Sequence, residues 1–353
     1  MRDVLFTLLI FGLLPACFRR PLVGLLVFSW LAYMRTQDLC WGFARHQRWS
    51  FLIAAVMGAG FLAAPRDKFF EKDARCWAMI GLAAWVSVSA FVSSGFDEFM
   101  LKRLIEFWKI IAVSLFSTAV VRKPQHLRIM VWVIALSFGF YGIKVGMAGV
   151  LSLGRVQVLQ GPGGMLEDNN DFSLALCMGL PLLIHIGASE TNKHLRRGIW
   201  ISVPLTAFTV IMTHSRGGFL SLAAVIVMLM WRSKNRVLSF SLGFVVCLLS
   251  LFVIPSSYIE RVSTIFSSES IQKDGSAQGR LAAWRTAINM SIANPILGVG
   301  LTNFEENYNA YKNDPWEMPR VTHNAYLQIW AESGTGALAL YGFLILHTWW
   351  SLV

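Results

Sequence analysis

IMVWVIALSFGFYGIKVGMAGVLSL, residues 129–153, runs for 25 residues with a single charge, Lys144. No proline interrupts it, and no polar–apolar alternation of period two runs through it. As a helix it reaches about 37 Å at roughly 1.5 Å per residue, enough to cross the hydrocarbon of a bilayer. Comparable runs recur along the chain: Val4–Phe18, Pro21–Met34, Trp49–Ala64, Cys76–Ser94, Phe107–Val121, Phe172–Ala188, Ile199–Thr213, Gly217–Trp231, Val237–Pro255 and Ala325–Trp350. Phe107–Val121 is short and is expected to borrow the amphipathic stretch Phe99–Glu106. The first two runs are joined only by Arg19-Arg20, which fits a re-entrant hairpin.

Composition agrees. Of 353 residues, 55% are hydrophobic and 14% charged, and the mean hydropathy is +0.54. A soluble domain carries about 25% charged residues. Inside hydrocarbon every backbone group needs an internal partner, so only helices or a closed barrel can cross. Uncharged runs without alternation select helices. The expected fold class is an all-α polytopic membrane protein with about eleven transmembrane segments. Residues 1–255 form a helical bundle, 256–324 a large helical loop, and 325–353 a closing transmembrane helix.

The net charge of +11 belongs to short loops between apolar runs, the positive-inside pattern, and not to a nucleic-acid surface. Pro65–Arg75, Val121–Arg128, Lys193–Arg197 and Trp231–Arg236 are therefore placed in the cytoplasm. The opposite face receives Gly154–Asp171, the junction at Arg216 and the stretch Ser256–Thr322, which carries six Lys/Arg against seven Asp/Glu. Five scattered cysteines, none in a CxxC pair, imply neither a disulfide framework nor a zinc site. Neither a Walker motif nor a dinucleotide fingerprint occurs, so ATP and nicotinamide chemistry have no support. The loop carboxylates Glu305, Glu306, Asp314 and Glu317 match no metal-ligand motif, so no cofactor and no metal are expected.

Thr213-His214-Ser215-Arg216-Gly217-Gly218 starts a helix at the outer face. A guanidinium there offers bidentate contacts to phosphate oxygens, and a helix start offers free N–H groups. A tight interfacial turn whose glycines pack helices explains the same residues. Gln278–Met290 has a helical pattern with Leu281, Trp284 and Ile288 on one side. Its Arg280 and Arg285 are five apart and do not share a face. Thr302–Lys312 reads as a second loop helix. His323, where the long loop meets the last apolar run, is the candidate general base, because histidine is the side chain suited to proton transfer near neutrality. Asp168, Asn169 and Asn170 precede a helix start and suit capping; the excess of polar groups in Glu167–Asp171 suits sugar hydroxyls or a metal ion. Lys144, a charge within an apolar run, is a functional candidate or the partner of Asp168 or Asp171.

Taken in order, Ser215-Arg216-Gly217-Gly218, Gly279-Arg280 with Trp284, Asn294–Gly300, His323–Gln328 and Glu332-Ser333-Gly334 make the chain resemble the bacterial O-antigen ligase and polymerase superfamily. Tyr141–Lys144 and Gly161–Leu176 resemble its exosortase-associated O-glycosylation ligase branch. One or two C-terminal spans of the family have no counterpart in this sequence. The resemblance implies an inverting, metal-independent glycosyltransferase without cofactors, working at the periplasmic face of the bacterial inner membrane in lipopolysaccharide biosynthesis. It implies a glycan donor on undecaprenyl diphosphate and lipid A–core or another glycan as acceptor. His323, Arg216 and Arg280 take the catalytic roles, with Arg216, Arg280 and Arg285 on the donor diphosphate. Asp168, Asn169, Asn170 and Lys144 are left for the glycan or acceptor. A glycan polymerase or a protein O-oligosaccharyltransferase would use the same donor. A lipid-linked sugar transporter is the rival of another class, but the internal repeat expected of many transporter folds is missing.

Overall fold

A computed structural model describes residues 1–63, 73–93, 95–236 and 275–352. The expected segment Val237–Pro255, most of the loop Pro65–Arg75 and the first part of the long loop, 256–274, lie outside the described residues. In chain order the helices are α1 (Arg2–Arg19), α2 (Pro21–Met34), α3 (Trp49–Ala63), α4 (Ala74–Val92), α5 (Glu98–Val120), α6 (Pro124–Leu151), α7 (Asn169–Ser189), α8 (Lys193–Met212), α9 (Arg216–Arg232), α10 (Gly275–Ala293), α11 (Phe304–Tyr311) and α12 (Ala325–Trp350). One antiparallel hairpin, β1 (Gln160–Gly163) with β2 (Leu166–Asp168), precedes α7. It departs from the all-α expectation, because the left-handed tip residues Gly163 and Gly164 reverse the chain and leave two short extended arms.

Among the described residues, five helices are long and apolar enough to cross a membrane by length and composition: α4, α6, α7, α8 and α12. Two more apolar helices, α2 with 14 residues and α3 with 15, are shorter. A 14-residue helix reaches only about 21 Å, short of a hydrocarbon layer about 30 Å thick. The expected eleven spans are therefore not reproduced among the described residues. The borrowing expected of the fifth segment does occur, since α5 takes in Phe99–Glu106 as one helix of 23 residues.

The chain divides into two compact units. One holds the described residues of 1–63 and 121–236, with α1–α3, α6–α9 and the hairpin; the other holds those of 73–120 and 275–352, with α4, α5 and α10–α12.

In the first unit α1 and α2 are separated by Arg20 alone, because Pro21 cannot continue α1 yet suits the first position of α2. The centre is α6 against α7 and α8. Gly139, Gly142, Gly146 and Gly149 make one stripe along α6. A Cβ on Gly146 would lie 2.5 Å from the Leu205 carbonyl oxygen, and one on Gly149 would lie 2.8 Å from the Phe208 ring. The Thr209 hydroxyl donates to the Gly142 carbonyl at 2.9 Å. Small residues let the two backbones touch, which is how helices associate when lipid is as apolar as their side chains. Lys144 leaves α6 between these glycines and is exposed; it makes no ion pair with Asp168 or Asp171.

In the second unit α12 is not one straight rod. Gly334 has φ 76° and ψ −177°, which breaks the helix after Ser333. The carbonyls released there are taken up by protein groups. Ala331 and Glu332 accept from the N–H of Val299 and Gly300 at 3.0 and 2.8 Å. The Trp85 indole donates to Ser333 at 2.9 Å. The Ser89 hydroxyl lies 3.0 Å from the Glu332 carbonyl and 2.6 Å from that of Leu297. α10 offers its small face to α12: Ala283, Ala287 and Met290 are buried, as is Ala331. Leu281 and Ile288, expected on its apolar side, are exposed, because close approach selects the alanines.

Gly146→Val should lower the midpoint of thermal unfolding in detergent by forcing α8 off α6, an overpacking cost of about 1–3 kcal/mol. Gly58→Ala, where an added Cβ meets nothing within 4 Å, should leave the midpoint unchanged or raised. Equal midpoints for the two variants would contradict the packing argument.

Candidate functional site

In the first unit the candidate is the α8–α9 turn. Ser215 caps α9, its hydroxyl accepting from the Gly218 N–H at 2.9 Å. The same hydroxyl donates to the Asn170 side-chain oxygen at 2.6 Å. Asn169 donates its amide to the Thr213 carbonyl at 3.0 Å, and the Val158 N–H donates to the Met212 carbonyl at 2.9 Å. Asp168 is the cap of α7, accepting from the Asn170 N–H at 2.7 Å. Thr213, His214 and Ser215 are buried, with His214 at φ 51°, a left-handed conformation unusual for a side chain with Cβ. Gly218 packs on Ser173 of α7, whereas nothing comes closer to a Cβ on Gly217 than 3.8 Å. A rigid turn thus presents half-buried Arg216 at the first position of α9.

In the second unit the candidates gather on α10 and on the segment leading into α12. Trp284 donates its indole N–H to the Thr322 carbonyl at 2.9 Å. Arg280 stands one turn before Trp284 on α10 and is exposed, as is Arg285. His323 is exposed at φ 49°, immediately before Asn324. The Asn324 side chain caps α12, accepting from the N–H groups of Tyr326 and Leu327 at 3.1 and 3.3 Å. The Thr322 hydroxyl accepts from the Asn324 N–H at 3.3 Å. His323 is thus pinned on both sides while its imidazole faces outward.

One feature the sequence reading passed over is a cleft of about 480 Å³ lined by Phe99, Arg103, Thr302, Phe304, Val321, Gln328 and Glu332. Glu332 is only 5% exposed, and Gln328 donates its amide to it at 3.1 Å. The backbone N–H groups of Thr302 and Phe304 also bond to its carboxyl. A carboxylate inside an apolar run was itself a signal. Among the described residues no group of three or more His, Cys, Asp or Glu is placed to hold a metal ion.

Residues 201–342 match the family model described as O-Antigen ligase. That stretch contains Arg216, Arg280, Arg285 and His323. The chain belongs to the O-antigen ligase superfamily. Residues 1–191, more than half its length, match a family of unknown function (DUF5935), to which it also belongs. No curated protein and no solved structure matches the chain. Membership in the O-antigen ligase superfamily carries an O-antigen ligase- or polymerase-type function, and with the apolar helices it makes this a multi-pass membrane protein of glycosyltransferase-like class.

Within this superfamily member the Asn170–Ser215 bond is expected to hold the Arg216 turn. Asn170→Ala and Ser215→Ala should each lower stability by about 1 kcal/mol and speed trypsin cleavage after Arg216. The double variant should lose less than the sum, since one bond is removed twice. Additive losses would show that the two side chains act apart.

Proposed function

We propose that this chain is an O-antigen ligase. It is an inverting, metal-independent glycosyltransferase that moves a glycan from undecaprenyl diphosphate onto lipid A–core. The reaction runs at the periplasmic face of the bacterial inner membrane, in lipopolysaccharide biosynthesis. The observation that carries this reading is the O-antigen ligase match over residues 201–342, which includes the histidine and the arginines of the motif. Support comes from the pinned, outward-facing imidazole of His323 beside the helix that bears Arg280.

The chemistry divides among these residues. An acceptor hydroxyl oxygen attacks the anomeric carbon from the face opposite the diphosphate. The new carbon–oxygen bond forms as the bond to the diphosphate breaks, and the leaving lipid diphosphate keeps the electron pair. His323 takes the hydroxyl proton. Arg216 and Arg280 hold the charge that builds on the diphosphate, and preorganised donors of this kind stabilise a transition state without reorganising during the reaction. Arg285, on another face of α10, is a further group for the donor diphosphate. Asn169 and Asn170 act on substrate through the Arg216 turn, and exposed Asp168 and Lys144 make the glycan contacts.

His323→Ala should lower transfer from purified lipid-linked donor by about 10²- to 10⁴-fold. His323→Gly, which suits the left-handed backbone better, should lose as much activity while keeping the unfolding midpoint. Near-normal transfer in either variant would sink the base assignment. Arg216→Lys should weaken donor use, because an ammonium cannot make the bidentate contact; an unchanged donor KM contradicts that role. Offering lipid A–core, a second lipid-linked glycan and a protein separately to the purified chain tests the acceptor. New glycosidic product on lipid A–core is the expected result.

A further inference from the structure

Gly279 of the Gly-Arg-x-x-x-Trp motif has no room for a side chain, because the Arg320 guanidinium occupies that place, with Nη1 nearest. Arg320 Nε is directed to the Met318 carbonyl at 3.4 Å. Two residues on, Thr322 is latched to Trp284 by the indole bond of 2.9 Å. The segment Arg320–Thr322 therefore crosses α10 at two points, a glycine and a tryptophan five residues apart. Arg280 lies between them on the helix, and His323 follows directly. The motif residues Gly279 and Trp284 thus gain a physical purpose: they seat one particular strand of chain against the helix that carries Arg280.

The consequence is electrostatic. Docking brings a second guanidinium to the stretch of α10 that holds Arg280, close in sequence to the imidazole. Arg285 cannot take that place, since five residues along a helix turn it roughly 140° away from Arg280. A diphosphate presents two phosphoryl groups, and a guanidinium engages one phosphate in a planar, two-bond fashion. A lone arginine serves one of them.

We propose that Arg320 is a further diphosphate-binding residue of this site, seated by Gly279 and Trp284. The proposal rests on the donor reading above and adds to it a further anion-holding group in this unit. Lack of a side chain at position 279 is then a requirement of ligand binding, and an alanine there would push the guanidinium off the helix.

The test measures binding and not transfer, so it stands apart from the choice of acceptor. The purified full chain in detergent is titrated with undecaprenyl diphosphate and with undecaprenyl monophosphate. Arg320→Ala should weaken diphosphate binding by about tenfold or more and monophosphate binding less. Arg320→Lys, which keeps charge and length and so guards against a folding defect, should fall between wild type and alanine. Gly279→Ala should weaken diphosphate binding, and adding it to Arg320→Ala should cost little more. Diphosphate binding unchanged in Arg320→Ala and Arg320→Lys, but lost in Arg280→Ala, overturns this proposal alone. Additive losses from Gly279→Ala and Arg320→Ala overturn the seating. A wild-type chain that binds neither lipid phosphate overturns the donor reading along with it.

Discussion

A backbone group that leaves a helix inside a membrane protein must find its partner in the protein, because lipid offers none. The break in α12 at Gly334 frees carbonyls on Ala331, Glu332 and Ser333. Their partners come from two other places: the N–H groups of Val299 and Gly300 before α11, and the Trp85 indole and Ser89 hydroxyl on α4. One requirement thus gathers α4, the turn before α11 and the middle of α12. It also explains Gly298, whose φ of 67° brings the backbone against Glu332 where a Cβ would collide. With the break held open, Glu332 reaches the N–H groups at the start of α11, and the cleft floor is a buried, fully engaged carboxyl.

The first unit obeys the same rule by other means. Its sharpest reversal, Thr213-His214-Ser215, is buried. The groups exposed by that turn are met by Asn169, Asn170 and the Val158 N–H. The polar run before α7 is therefore a clamp on the start of α9 as well as a cap. In both units a strained left-handed residue belongs to the candidate site: His214 lies two residues before Arg216, and His323 is itself the candidate base. Such conformations cost about 1–3 kcal/mol and persist only where the surroundings hold them. Here the holding groups are Ser215 with Asn170, and Thr322 with Trp284 and Asn324.

Much of the fold was legible from apolar run lengths. Residues 129–153 announced α6, and the need for Phe99–Glu106 to lengthen α5 was plain from its short apolar part. Legibility failed where packing chose among faces. On α10, Leu281 and Ile288 made the more apolar stripe, yet Ala283 and Ala287 are buried in the cluster that includes Ala331 of α12, because small side chains let the two helices approach closely. The β-hairpin was missed because glycines at a tip show a turn but not what flanks it.

By itself the sequence determined that the chain is helical and membrane-embedded, since composition and run length decide that against the bilayer's thickness. It also determined the family, through the order of short motifs around Arg216, Arg280 and His323. Only the tertiary structure decided what the small and polar motif residues do: Gly279 admits the Arg320 guanidinium, Trp284 latches Thr322, Asn170 holds Ser215, and Glu332 bonds to the loop at Thr302 and Phe304. Each of these is a pairing between residues far apart in the chain or crossing between elements. A linear pattern records which groups need partners, whereas the partner itself is fixed by which backbones can approach closely enough to meet.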